Sequence, residues 1–177
     1  MTEYLDVIDE SGEKTGQAVS YEEAHEKGIR YRTAHVWFLN SENQLLLQKR
    51  NSTRRAYPNH WDISASGHIS AGETSIEAAR KETREELGLD LPDSSFELLF
   101  TVQEHVTLNE DSYIANEFQD VYLVRKDLNV EAFNLEAEEV EKARWISLDE
   151  FRTWIEGQGE PLVPHKEEHA RLLAALA

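Results

Sequence analysis

Cysteine is absent from the 177-residue sequence, and so are apolar runs long enough to cross a membrane. The first absence excludes disulfide bonds, thiolate metal sites and a cysteine nucleophile, and it fits a reducing compartment. The acidic start, MTEYLDVIDE, lacks the basic and apolar regions of a secretory signal peptide. We therefore expect a soluble, cytoplasmic protein that does not enter a membrane.

Basic residues are scarce, because 18 Lys and Arg stand against 35 Asp and Glu and give a formal net charge of −17. A charge of this sign opposes general binding to nucleic acid and to anionic lipid. A phosphate-bearing ligand would need a metal ion, or locally placed Lys and Arg, to hold it. The length and the hydrophobic content of 40% suffice for one core, so we expect a single domain over residues 1–177.

Hydrophobic periodicity predicts strands in pairs with helices between them. The predicted strands are residues 3–9, 14–19, 32–39, 44–50, 60–66, 96–106, 114–124 and 143–146. The predicted helices are residues 21–27, 75–87, 148–155 and 165–176, so that a hairpin and short helix fill about 1–30 and helices fill about 147–176. We expect the acidic stretch 129–140 to be irregular. This order predicts an α/β fold, with a mixed sheet and helices on both faces.

The stretch over residues 67–89 carries the most specific pattern of the chain. A glycine-containing loop leads into a predicted helix that Gly88 ends. Within this helix Glu82, Glu85 and Glu86 stand at i, i+3 and i+4, which places three carboxylates on one face. A hard divalent cation would relieve their mutual repulsion, and oxygen ligands suit magnesium, manganese or calcium. The alternative interpretation of the triplet is a solvated acidic face.

The spacing of the whole stretch resembles the Nudix box, G-x5-E-x7-R-E-U-x-E-E-x-G-U, in which U is aliphatic. Seven fixed positions match, namely Gly67, Glu73, Glu82, Glu85, Glu86, Gly88 and Leu89. Two positions depart, because Lys81 replaces the arginine and Thr83 replaces an aliphatic residue. The chain is identified on this pattern as a member of the Nudix family.

The resemblance implies an α/β/α sandwich in which the box presents its glutamates to a cleft. It also implies hydrolysis of a phosphoanhydride by water, with Mg²⁺, or Mn²⁺ in its place, as cofactor. The implied metal ligands are Glu82, Glu85, Glu86 and the carbonyl oxygen of Gly67. Glu73 would hold the loop by pairing with Lys81, which can give one charged contact where arginine gives a bidentate fork.

The general base stays open, since family members recruit it from different places. The candidates are Glu85 and Glu86 in the box and the later acids Glu110, Asp111, Glu117, Glu136, Glu138 and Glu139. The segment 48–55 contains four basic residues, Lys49, Arg50, Arg54 and Arg55. These four either contact phosphate or form a solvated loop.

The segment LLLQKRNSTRRAYPNHWDISASGHI resembles the branch of the family that contains isopentenyl-diphosphate isomerase. On this overlay His25, His68 and Glu117 are retained, whereas the catalytic cysteine and glutamate fall at Ser66 and Gln119. A serine hydroxyl is far less acidic than a thiol, and glutamine does not usefully exchange a proton. Isomerase activity is therefore disfavoured.

Three further expectations concern partners and alternatives. Some Nudix domains bind a nucleotide as sensors without turning it over, but these usually lose box glutamates, and all three are kept here. We expect a small phosphorylated substrate, in the first place a nucleotide, and no nucleic acid, and a homodimer is a further possibility because many relatives pair. His165 and His169 stand at i, i+4, a spacing that suits a metal as well as packing, and packing is favoured.

Overall fold

The computed structural model describes residues 2–110 and 112–177, which form nine strands and four α-helices. The strands are β1 (Tyr4–Ile8), β2 (Lys14–Ser20), β3 (Tyr31–Leu39), β4 (Gln44–Arg50), β5 (Trp61–Asp62), β6 (Ala65–His68), β7 (Glu97–Leu108), β8 (Tyr113–Arg125) and β9 (Val140–Ser147). The helices are α1 (Tyr21–Lys27), α2 (Ser75–Leu87), α3 (Leu148–Ile155) and α4 (Lys166–Ala175). None of the described helices is both long and apolar enough to cross a membrane.

Seven of the strands form one mixed sheet with the order β5-β4-β3-β8-β7, to which β6 adds on β3 and β9 adds on β4. Strand β3 runs parallel to β8 over its whole length, from the pair Tyr31 and Glu117 to the pair Leu39 and Arg125. The other pairings in the sheet are antiparallel. Because β3 lies inside the sheet and is covered on both faces, it reads as an almost continuous apolar run.

Helices cover both faces of this sheet. Val36 and Phe38 of β3 pack with Ala78, Ala79 and Leu87 of α2 on one face. The alternate residues of β3 pack on the other face against α3 and α4, in a cluster that includes Trp37, Leu39, Phe151, Trp154 and Leu172. The expected α/β/α arrangement is confirmed, and it places α2 on one side of the sheet and the C-terminal helices on the other.

Helix α2 begins and ends where its sequence specifies. The Thr74 side chain accepts a hydrogen bond from the Glu77 amide, and the Glu77 carboxylate accepts one from the Thr74 amide, which completes a capping box. Gly88 ends the helix with φ 73°, a left-handed conformation that glycine adopts at little cost. These two ends fix the position of the glutamates between them.

The sequence-based element bounds need three corrections. The segment 60–66 is two short strands, β5 and β6, because β5 pairs with β4 and β6 pairs with β3. The strand expected at 143–146 begins at Val140, since its pairing with β4 continues to Arg50. The irregular segment 129–140 contains a single 3₁₀ turn, Val130–Ala132.

Candidate active site

Helix α2 brings Glu82 and Glu86 against the end of β6, where Gly67 lies. Glu86 is buried and accepts hydrogen bonds from the Gln48 side chain at 2.7 Å and from the Ser66 amide at 3.2 Å. A Cβ atom on Gly67 would lie 2.5 Å from Oε1 and 2.6 Å from Oε2 of Glu82. A larger residue at this position would therefore force the Glu82 carboxylate to move. Glu85 is the most exposed of the three glutamates, with 48% of its side chain accessible.

The electrostatics of these carboxylates fit a bound cation. Burial raises the pKa of Glu82 to about 7, in spite of the positive charge of Lys81 beside it. Burial and the negative charges of Glu82 and Glu139 raise the pKa of Glu86 well above its ordinary value. A divalent cation would stabilise the charged forms, because it supplies the positive charge that these buried carboxylates lack. Oxygen donors of this kind suit Mg²⁺ and Mn²⁺.

The loop between β6 and α2 is held by one lysine. Lys81 Nζ lies 3.2 Å from Glu73 Oε2 and 3.2 Å from Glu82 Oε1. Glu73 also accepts a hydrogen bond from the Ser70 amide at 3.0 Å. Lys81 thus makes a single contact with Glu73, where an arginine could make two.

An open cleft of about 890 Å³, which we call the outer chamber, is lined by Gly67, Lys81, Glu82 and Glu85. Arg50, Arg54 and Arg55 form another part of its wall. Each arginine has a local partner: Arg50 contacts Asp62 at 2.8 Å, Arg54 contacts Glu139 at 2.6 Å and Arg55 donates to the Ser112 carbonyl. Lys49 is not on this wall and instead pairs with Glu141 at 3.2 Å, because neighbouring residues of β4 face opposite sides of the sheet.

The outer chamber leads into a smaller cavity of about 120 Å³, which we call the inner chamber. Thr33 and His35 of β3, Glu104 of β7 and Glu117 of β8 line it from one face of the sheet. His165, just before α4, also lines it. Both chambers share the Ser66–His68 segment, so the two cavities are parts of one site.

His25, His68 and Glu117 form a second cluster of potential metal ligands. Their ligand atoms lie within 4.8 Å of one another. Burial lowers the pKa of His25 and of His68, so both imidazoles are neutral at pH 7 and can bind a metal. Tyr31 links His25 and Glu117 through hydrogen bonds of 2.8 Å.

The profile described as NUDIX domain matches residues 29–174. The chain belongs to the Nudix family. The matched range contains the box, the basic segment 48–55 and the sheet residues of both chambers.

The relatives of this Nudix chain bear hydrolase names. It is 41% identical over 166 residues to Nudix hydrolase 3 of Arabidopsis thaliana, which covers 92% of this chain and 22% of the plant protein. It is 32% identical over 158 residues to an uncharacterized Nudix hydrolase of Listeria monocytogenes, which covers 89% and 87% of the two chains. The chain therefore spans less than a quarter of the plant relative but most of the bacterial one.

Solved structures show the same fold. DR0079 from Deinococcus radiodurans superposes with a TM-score of 0.74 at 24% identity, over 96% of this chain and 98% of that one. The Nudix domain of Shewanella oneidensis NrtR, crystallised with ADP ribose, gives a TM-score of 0.62 at 15% identity, over 82% and 88%.

The later acids and histidines of the Nudix chain fall in different places. Glu138 and Glu139 line the outer chamber and Glu117 lines the inner one, whereas Glu110 and Glu136 line neither. Asp111 lies outside the described residues. His165 is held between Asp62 at 3.1 Å and Glu104 at 3.0 Å. His169 packs against Trp37 and Phe151.

The positions that the isomerase overlay singled out are engaged in hydrogen bonds. Gln119 donates to Glu104 at 2.8 Å and to Glu117 at 3.1 Å. Arg32, which falls near the second metal histidine of the isomerase, instead donates to the Gly12 carbonyl and to Asp120. Neither side chain therefore offers a free metal-binding or proton-exchanging group.

Sequence reasoning missed Gln48 and Glu104. Gln48 orients a box glutamate from a neighbouring strand, and Glu104 sits in the inner chamber. A local signal existed for the first of them. Gln48 and Arg50 are two residues apart on β4, so they share a face and Gln48 had to lie on the side of the cleft.

Proposed function

We propose that this Nudix hydrolase cleaves a phosphoanhydride bond in a small phosphorylated metabolite, with water as the nucleophile and Mg²⁺ or Mn²⁺ as cofactor. The first substrate class to test is the nucleotides. The observation that carries the proposal is the meeting of Glu82 and Glu86 with the Ser66–Gly67 backbone beside a cleft that three arginines also line. A negatively charged pyrophosphate needs both a metal held by the carboxylates and the arginines, because the chain as a whole repels it.

We assign the metal ligands to Glu82, Glu85, Glu86 and the carbonyl oxygen of Gly67. A bound divalent ion supplies charge neutralisation at the phosphoryl oxygens and increases the acidity of water. Gln48 and the Ser66 amide hold one oxygen of Glu86 and so leave the other free for a ligand bond.

We assign phosphate binding to Arg50, Arg54 and Arg55 in the wall of the outer chamber. A guanidinium has several N–H donors, and contacts such as those with Asp62 and Glu139 use only some of them. The remaining N–H groups can donate to phosphate oxygens. Lys49 has no such role in the proposal, since it contacts Glu141 away from the cleft.

Glu85 is our candidate for the general base. It is the exposed member of the triplet and faces the outer chamber, where a water molecule can approach it. Glu86 is the less suitable base, because its carboxylate is buried and accepts two hydrogen bonds. Proton transfer requires direct hydrogen-bonding reach to the water or to one intervening water.

The test is product release from a panel of nucleoside di- and triphosphates, nucleotide sugars, ADP ribose, dinucleotides and isopentenyl diphosphate. Each compound is incubated with Mg²⁺ or with EDTA, and with wild type, Glu85→Gln and the control Glu97→Gln, an exposed glutamate of β7. We expect Mg²⁺-dependent cleavage that Glu97→Gln keeps and Glu85→Gln loses. Cleavage that persists in EDTA would refute the proposal.

The same panel decides between the alternatives. Isomerisation of isopentenyl diphosphate would contradict the reading of Ser66 and Gln119 as inactive replacements. Tight binding of one nucleotide without turnover would identify a sensor. A homodimer stays a prediction, and sedimentation velocity tests it.

We propose His25, His68 and Glu117 as a second metal site of the same cleft. The proposal rests on two neutral imidazoles and one carboxylate within 4.8 Å. Calorimetric titration with Mn²⁺ should give one site fewer in His68→Gln than in wild type. An unchanged stoichiometry would refute His68 as a ligand of this site.

A further inference from the structure

The hydrolysis step proposed above gives the inner chamber as a whole no role. Its volume of about 120 Å³ lies well below the roughly 300–1,000 Å³ of pockets that enclose a drug-sized ligand. The outer chamber, at about 890 Å³, lies within that range. The inner chamber can therefore enclose only a compact group, which the pyrophosphate would present from the outer chamber.

Part of the wall of the inner chamber is aliphatic. Val106 and Leu108 of β7, Ala115 of β8 and Val163 line it. Such a wall limits the size of the enclosed group but does not choose between polar and apolar groups. That choice depends on the polar atoms at the floor.

The polar atoms at the floor are mostly satisfied by protein partners. Asp62 accepts hydrogen bonds from Arg50, from His165 and from the Ile63 amide. His35 is held by Glu168 at 2.7 Å. These side chains have little capacity left for a ligand.

Glu104 has hydrogen-bonding capacity left where Asp62 and His35 have little. His68 and Glu117 also line the chamber, and they are assigned above to the second metal site. The Oε2 atom of Glu104 accepts from His165 at 3.0 Å and from Gln119 at 2.8 Å, while its Oε1 accepts no hydrogen bond from the described residues. Glu104 lines the chamber and thus keeps one acceptor atom, Oε1, for which the described residues provide no donor.

We propose that the inner chamber binds the smaller of the two groups joined to the pyrophosphate and selects one that carries a hydrogen-bond donor, through Glu104 Oε1. The donor is a hydroxyl or an ammonium group. An alkyl group of equal size would leave Oε1 desolvated without a partner, and a site built for a polar hydrogen rejects such an analogue. The inference rests on the proposed function, because that function places the pyrophosphate at the entrance of the chamber.

The test measures binding of methylenediphosphonate and three of its monoesters in the presence of Mg²⁺ by calorimetry. The bridging carbon prevents hydrolysis, and the ester groups are 3-methylbutyl, 2,3-dihydroxypropyl and 3-aminopropyl, which are similar in size. The proteins are wild type, Glu104→Gln, Glu104→Leu and the control Glu97→Gln. Retained binding of unesterified methylenediphosphonate shows that each variant is folded around the outer chamber.

We expect wild type and Glu97→Gln to bind one of the donor-bearing esters at least about tenfold more tightly than the 3-methylbutyl ester. Glu104→Leu should abolish this preference. Glu104→Gln shows which donor the wild type selects. An amide oxygen still accepts from a hydroxyl group, so a preference for the hydroxyl ester should remain, whereas an amide does not attract an ammonium group by charge, so a preference for the ammonium ester should be lost.

Two results overturn the inference. The first is that wild type binds the 3-methylbutyl ester as tightly as the donor-bearing esters. The second is that Glu104→Leu still prefers the donor-bearing esters. If unesterified methylenediphosphonate does not bind wild type with Mg²⁺, the proposed function itself fails, and the inference fails with it. Binding of that compound without any preference among the esters refutes the inference alone.

Discussion

Replacing Gln48 by methionine isolates the hydrogen bond that orients Glu86. The Gln48 amide donates to Glu86 Oε2 at 2.7 Å, and the glutamine side chain is 3% exposed. Its Oε1 is buried without a partner among the described residues, so the fold gains nothing from that atom. Methionine is unbranched and of similar length, and it can occupy the same space without donating a hydrogen bond.

We expect Gln48→Met to lower the affinity for the metal ion. A hydrogen bond to a charged group contributes about 1.5–3 kcal/mol, and each 1.4 kcal/mol is about a tenfold change in affinity. The Ser66 amide still holds Glu86 at 3.2 Å, so the lower end of that range applies. We therefore expect Gln48→Met to weaken Mg²⁺ or Mn²⁺ binding by about tenfold.

Calorimetric titration with Mn²⁺ measures this change, and a thermal melt of the metal-free protein serves as the stability check. Gln103→Met on β7 is the matched control, because Gln103 is exposed and lies on another strand. It should bind Mn²⁺ as wild type does. Wild-type affinity in Gln48→Met would refute the view that this side chain positions a metal ligand.

Three further changes have expected outcomes. Gly67→Ala would place a Cβ 2.5 Å from Glu82 Oε1, so the carboxylate must move, and Mg²⁺-dependent turnover should fall at least about tenfold while far-ultraviolet circular dichroism is unchanged. The Thr83 hydroxyl is buried without a partner in the described chain, so Thr83→Val should raise the free energy of unfolding by about 1 kcal/mol in urea denaturation, and a decrease would show a hidden partner. Glu168→Gln breaks a buried pair with His35 and should lower that free energy by about 3 kcal/mol. Burial lowers the pKa of His35, but the charge of Glu168 outweighs burial, so the pKa is raised and this stabilisation is lost as pH rises from 6.5 through the raised value. Burial would raise the pKa of Glu168, but the charge of His35 and the hydrogen bond with it lower this pKa to about 2. The stabilisation that the charged Glu168 contributes is therefore lost as pH falls from 4.5 towards 2. The cost of Glu168→Gln should therefore be greatest between pH 4.5 and 6.5, and a cost that does not vary with pH would contradict the assignment.

The box could be predicted from sequence because its geometry is local. The spacing from Gly67 to Gly88 contains one loop and one helix, and helical periodicity alone puts the glutamates on one face. Strands β3, β7 and β8 were also predictable, since each is rich in β-branched and aromatic residues, and β4 was predictable from its apolar run, residues 45–47, after a polar turn.

The remainder of the site depends on pairings between distant segments. Tyr31 meets Glu117 across 86 residues of sequence because β3 and β8 are parallel neighbours, and no local pattern specifies that partnership. The i, i+4 spacing of His165 and His169 illustrates the same limit. It is compatible with metal binding, but the partners that decide the role, such as Asp62, lie on other elements.

The attachment of the C-terminal segment to the sheet has a consequence for protein synthesis. The Glu168 side chain joins His35 across 133 residues, and His165 supplies one wall of the inner chamber. A nascent chain that has emerged only as far as β9 carries the whole box and can form α2, yet its substrate cavity lacks that wall. We therefore expect a ribosome-bound chain to acquire metal affinity before it acquires selectivity for the group bound in the inner chamber. On the proposed function, the segment that begins at His165 is thus the last part of the chain to complete the site.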